Sequence, residues 1–219
     1  MPVVYRLLLV VLLQQVTVVQ AQQNTVLTKT LASAVLIDQR AAGLPPEGTT
    51  LDDPSWQAFK DSVFSVNYQL ARTIFEANGF PGYDKVGTDG AKNFWLLVQH
   101  CDTWPAFQEQ VLEAMAGQVA RKNASAQEFA YLTDRVRLNT GRAQVYGTQL
   151  TYDTDACQAM PKNLEAAADV NQRRQQVGLD RIESYLDMMS QMHFQMNQAS
   201  YEKKGIRAPK LYGSKPFGQ

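Results

Sequence analysis

Histidine and cysteine are scarce in this chain, with two of each among 219 residues. His100 and His193 are the only imidazoles and neither sits in a known metal-ligand spacing, so no metal site and no cofactor are expected. Excess charge of one sign is missing as well, because 21 basic side chains balance 21 acidic ones. A nucleic-acid binder needs a basic face to displace phosphate counterions, so no nucleic-acid partner is expected. A Gly-rich phosphate loop, a serine elbow, a catalytic Cys–His spacing and a long heptad run are all absent from the sequence. Those absences argue against the common nucleotide-binding, serine-hydrolase and coiled-coil classes.

What is present suits one domain with a sizeable core: 45% of residues are hydrophobic and 19% charged. The first 21 residues stand apart. Arg6 precedes an apolar run from Leu7 to Leu13, and Ala21 lies two residues beyond Val19. This is the layout of a secretory signal cleaved after Ala21. An uncleaved anchor is the alternative, but Gln14 and Gln15 stop the run well short of the ~20 residues that span a bilayer. The expectation is a secreted or periplasmic protein with no membrane span after signal cleavage. In that compartment Cys101 and Cys157 either pair or remain two buried thiols. Pairing would close a loop of about 55 residues and stabilise by ~4 kcal/mol.

The pattern predicts a mainly α fold, a single helical domain over residues 22–199 with about six or seven helices and a small β-hairpin near 144–160. Residues 200–219, basic and rich in Gly and Pro, are expected to form a flexible tail. A first helix covers Val26 to Ala42. Asp53 and Pro54 then supply an N-cap and first-turn proline for a second, striped by Trp56, Phe59, Val63, Val66, Leu70 and Ile74. After a loop, "GFPGYDKVGTDG", a third helix runs from Ala91 to Cys101. Thr103 or Asp102 caps a fourth, and Ser125 with Glu128 forms a capping box for a fifth, Ala126 to Thr140. Helix returns from Leu164 to Val177, and a last helix begins at Asp180. Its methionines at 188, 189, 192 and 196 are either core filler or a pliable docking surface.

Within this frame "NFWLLVQHCDTWP", residues 93–105, is unusual. Five successive apolar residues mark a central helix that ends in His100, Cys101 and Asp102. The helix dipole at that end favours a positive charge, and a histidine there can act as general acid or base. The bland account is a ring that ties off the last helical carbonyls. On the fifth helix Tyr131, Asp134, Arg135 and Leu138 share the face opposite Phe129, Leu132 and Val136. Arg135 either decorates a solvated face or reaches a buried carboxylate or an anionic ligand. In "QVYGTQ", residues 144–149, strand alternation would put Gln144, Tyr146 and Thr148 on one side. Gly147 inside it suggests a bulge or a close backbone approach.

The ordered pieces "GFPGYDKVG", "FWLLVQHCD", "YLTDRV", Gly141 to Gln149, "NQRRQQVGL" and Tyr185 resemble an uncharacterised family of bacterial proteins classed as a domain of unknown function. Its members share a Gly-Trp-Pro element, a Val-Gly, a Gln-His, an Asp-Arg and a Tyr-Gly-Thr-Gln, in that order, and the resemblance covers roughly residues 63–186. Phe80 stands where the family usually has Trp, and Cys101 where a small residue is usual. Asp38-Gln39-Arg40 matches only the first half of an Asp-Gln-x-x-Arg element, so Arg40 is not carried over. The resemblance implies that His100, Asp134, Arg135, Tyr146 and Gln149 are signature positions. It carries no reaction.

Two functions follow as expectations. One is an exported hydrolase or processor of a small-molecule or envelope ligand. There His100 is the base, Asp102 or Asp134 its orienter, Arg135 an anion clamp, and Tyr146 and Gln149 substrate contacts. The other is a non-catalytic helical binding or interaction module of the cell envelope, with the same residues fastening its core.

Overall fold

The computed structural model describes residues 25–213 and Phe217. The secretory signal expected over residues 1–21 lies outside them. Among the described residues there are eight helices and one two-stranded antiparallel hairpin, so the fold is mainly α. No helix among them is long and apolar enough to cross a membrane. The residues fall into two compact units that divide between Ala124 and Ser125.

The first unit holds four helices. Helix α1 covers residues 25–42, with Leu31, Asp38 and Ala41 fully buried along one stripe. Helix α2, Pro54–Asn78, starts where expected: the Asp53 carboxylate accepts from the backbone N–H groups of Ser55 and Trp56. Helix α3, Tyr83–Gln99, begins eight residues earlier than the Ala91 start the sequence suggests. Residues 83–90 of the supposed loop are helical apart from one break at Gly87, whose φ of 71° and ψ of 176° only glycine adopts cheaply. Asn123 fixes that early start, accepting from the Tyr83 N–H on its backbone oxygen and from the Asp84 N–H on its side chain, both at 2.9 Å. Helix α4, Pro105–Ala120, is capped by Trp104 with no side-chain bond, so neither Asp102 nor Thr103 takes the N-cap place. The centre of α3 is as buried as its apolar run implies: Phe94, Leu97 and Val98 are all at 0% exposure.

In the second unit α5, Ala126–Asn139, opens with the expected cap, Ser125 Oγ accepting from the Glu128 N–H. The hairpin pairs β1, Leu150–Asp153, with β2, Gln158–Pro161, in the register Leu150 to Pro161 and Asp153 to Gln158. Residues 144–149 are not strand. They form a loop whose one ladder contact is a parallel bridge from Gln144 to Leu164. A short 3-10 turn, Ala167–Asp169, leads into α6, Val170–Gln176, and then α7, Ile182–Met196. Ala159, Val170, Ile182 and Leu186 form the centre of this unit. A further helix, α8, Gln198–Lys203, falls where the sequence suggests chain with no fixed structure. Beyond it Lys210 N–H reaches Ala156 O, Tyr212 and Gly213 N–H both reach Asp187, and Phe217 N–H reaches Glu183.

Candidate functional site

Each unit holds one carboxylate at 0% exposure, and the predicted site residues divide between the two units. In the first unit it is Asp38, on the buried stripe of α1. Asn67 of α2 donates from Nδ2 to Oδ1 at 3.0 Å, and Gln39 donates from Nε2 to Oδ2 at 3.0 Å. His100 Nδ1 lies 2.7 Å from that same Oδ2. The imidazole does not tie off helical carbonyls. Backbone groups close α3, the His100 N–H on Leu97 O at 3.2 Å and the Cys101 N–H on Val98 O at 3.1 Å, which frees the ring to reach across to α1. A carboxylate on Nδ1 holds the proton there and leaves Nε2 as the basic atom. The side chain is 20% exposed and its ring packs against Phe64 with centroids 5.2 Å apart.

Asp38, and neither Asp102 nor Asp134, is the carboxylate bonded to the His100 ring. Asp102 is exposed and accepts from Gln108 Nε2 at 3.2 Å. The same Gln108 amide donates to Val98 O at 2.9 Å, so Asp102 helps tie the end of α3 to α4. Neighbouring Cys101 is fully buried, its thiol facing Leu97 O at 3.3 Å. Burial, reinforced by the Asp38 and Asp102 charges, pushes that thiol up to about 12. It is no nucleophile at neutral pH. Cys101 and Cys157 are both free and buried, which is the second of the two states the sequence left open. Beside the Asp38–Asn67 bond, Ala34, Ile37, Val63, Val66 and Leu70 line an open apolar groove of about 370 Å³, with Asn67 at its wall.

The second unit's carboxylate, Asp134 on α5, has different company. Oδ1 accepts from the Val145 N–H at 2.7 Å and the Tyr146 N–H at 2.9 Å. Oδ2 accepts from the Thr148 N–H at 2.8 Å and the Thr148 hydroxyl at 2.9 Å. This capture explains why residues 144–149 leave the strand pattern: their N–H groups turn toward one carboxylate instead of a ladder partner. The carbonyls of the loop are held as well. Arg173 Nε donates to Val145 O at 2.8 Å, Arg174 Nη1 to Tyr146 O at 2.7 Å, and the Tyr185 hydroxyl to Thr148 O at 3.0 Å. The buried Gln144 side chain accepts from the Gln149 N–H at 3.0 Å and donates back to Gln149 O at 2.9 Å and to Lys162 O. Gly147 sits among these with φ 71°, and a Cβ on it would lie 2.7 Å from Ile182 Cδ1.

Asp134, Tyr146 and Gln149 thus meet at one loop, whose backbone Asp134 holds. Tyr146 and Gln149 contribute mainly main-chain groups. The Gln149 side chain reaches only Thr148 Oγ1, at 3.4 Å, and burial raises the Tyr146 phenol. Arg135 lies partly buried on α5. Arg174, which the sequence reading did not single out, is 1% exposed with its guanidinium 5.0 Å above the Tyr185 ring. Burial lowers its pKa, and the carbonyls it meets offset that cost through charge-assisted bonds. No three His, Cys, Asp or Glu side chains among the described residues gather into a metal-binding set.

A mainly helical protein with one imidazole–carboxylate pair and one carboxylate-clamped loop is the class that fold and geometry define. The chain belongs to the family of unknown function DUF6624, whose model matches residues 63–195, more than half of its length. That stretch includes His100 and the clamped loop, while Asp38 lies before it. No curated protein and no solved structure matches the chain.

Proposed function

We propose that this is an exported protein in which His100 and Asp38 perform general acid–base chemistry, as a hydrolase of a small-molecule or cell-envelope substrate. The observation that carries the reading is the 2.7 Å approach of a partly exposed imidazole to a fully buried carboxylate. Asp38 fixes the tautomer, so Nε2 takes a proton from water as the resulting hydroxide attacks an electrophilic carbon or phosphorus. The imidazolium then returns that proton to the leaving group. Export rests on the basic, apolar and small-residue layout of residues 1–21.

A second reading, a non-catalytic helical module, draws on Asp134: its four accepted bonds all go to scaffold. The two readings part at His100. Purified wild type, His100→Ala and Asp38→Asn are to be assayed across a panel of esters, amides, glycosides and phosphoesters. The hydrolase reading expects a turned-over class whose rate falls by ~10²-fold or more in His100→Ala. Asp38→Asn should lower the same rate by ~10²-fold or more by removing the acceptor that fixes the ring's tautomer, with melting close to wild type in both variants. A turnover unaffected by His100→Ala, or a panel with no turnover and a sharp melting loss in that variant, leaves the structural module.

A further inference from the structure

On α7, Met188, Met192 and Met196 follow one another at four-residue spacing and stand 49%, 47% and 67% exposed. They are not overflow from the core, since Met189, one place along, is the methionine that packs against it. From Met188 to Tyr201 the chain has no Asp, Glu, Lys or Arg. The one imidazole on this stretch of helix is engaged: His193 stacks on Tyr152 at 3.8 Å, and its Nε2 meets the Tyr201 hydroxyl at 3.0 Å. The nearest carboxylate along the helix, Asp187, receives the Tyr212 and Gly213 N–H groups. What this edge offers a ligand is therefore neutral sulfur, flanked by the amides of Gln191 and Gln195, and no charged side chain.

We propose that α7 carries a thioether site for monovalent copper. Neutral, polarizable sulfur is a poor ligand for calcium, magnesium or zinc and a good one for Cu(I), which needs no carboxylate and accepts two ligands. Side chains four apart on a helix have Cβ atoms about 5–6 Å from each other, within reach of one ion for two flexible methionines. Met188 and Met196, two turns apart at about 12 Å, cannot share an ion directly. Met192 is thus common to two alternative pairs, and the helix takes one ion at a time. The site is independent of the His100–Asp38 chemistry.

The test uses the full chain carrying methyl-labelled methionine, given one equivalent of Cu(I) as its acetonitrile complex without oxygen. A competing Cu(I) chelator reports affinity. The methyl signals of Met188, Met192 and Met196 should move while that of fully buried Met115 stays. Met192→Leu, which keeps the helix and its apolar area, should weaken uptake by ~10²-fold by removing the shared ligand. Met188→Leu and Met196→Leu should each weaken it only about twofold, by removing one of two pairs. Wild-type uptake by Met192→Leu, still signals at all three positions, or uptake abolished only by replacing Cys101 and Cys157 with serine would each overturn the site.

Discussion

Asp38 and Asp134 are equally sealed from water, at 0% exposure, yet they meet different kinds of donor. Asp134 takes three backbone N–H groups and a hydroxyl from one six-residue loop, and every donor is part of the scaffold. Asp38 takes two side-chain amides and faces an imidazole that still reaches solvent. A buried carboxylate surrounded by main chain specifies a shape. One that faces a partly exposed imidazole across 2.7 Å orients that ring. The contrast ties Asp134 to the shape of one loop and Asp38 to a side chain that solvent touches.

Removing the two carboxylates should therefore have unequal consequences. Asp134→Ala strands three N–H groups at about 1–3 kcal/mol each, for a loss of at least ~3 kcal/mol. That corresponds to a melting point roughly 10 °C lower in a chain of this size. Asp38→Asn keeps an acceptor for Asn67 and should lose only about 1 kcal/mol. Equal losses in thermal or urea unfolding would erase the distinction. Gly147→Ala comes next, at about 2 kcal/mol, from positive-φ strain and the contact with Ile182. Pairing it with Ile182→Val should recover the steric part only, giving a coupling of about 1 kcal/mol in a double-mutant cycle.

The pH response adds a subtler comparison. In the unfolded chain the Cys101 thiol ionises near 9.0, whereas the folded one keeps its proton up to about 12. Between those values the unfolded state binds fewer protons, so stability is whole below pH 9 and falls as pH rises toward 12. Unfolding midpoints should drop above pH 9, and less steeply in Cys101→Ala. The smallest expected difference separates the two histidines. His193 has Nε2 against Tyr201 and Nδ1 against Asn197, whereas His100 has Nδ1 against Asp38 and a side chain that is 20% exposed. Diethyl pyrocarbonate should modify His100 several-fold faster than His193, as read by peptide mass. The reverse order would place the reactive ring in the wrong unit.

The sequence made the helices legible wherever a cap or stripe was local: Asp53, Ser125 and the Phe94–Val98 run all lie where their chemistry puts them. It failed where a distant residue decided the matter. Asn123, 39 positions from Asp84, starts α3 early, and Asp134 pulls residues 144–149 out of strand geometry from another element. The importance of His100 was readable from its place at the end of an apolar helix, but its partner was not, because 62 residues separate it from Asp38. One signal did point there. Asp38 falls in step with Leu31 and Ala41 on the stripe of α1, where a charge must find a partner or cost stability.

The loop from Gln144 to Gln149 has a consequence for how the second unit breathes. Its amides at 145, 146 and 148 belong to no helix or ladder, yet each is bonded to a carboxylate that is itself out of contact with water. Deuterium can enter only when Asp134 lets go, and that requires α5 and the loop to separate. Amide exchange at these irregular positions should then be as slow as in the core helices, which makes an apparent connector one of the last parts of the molecule to open.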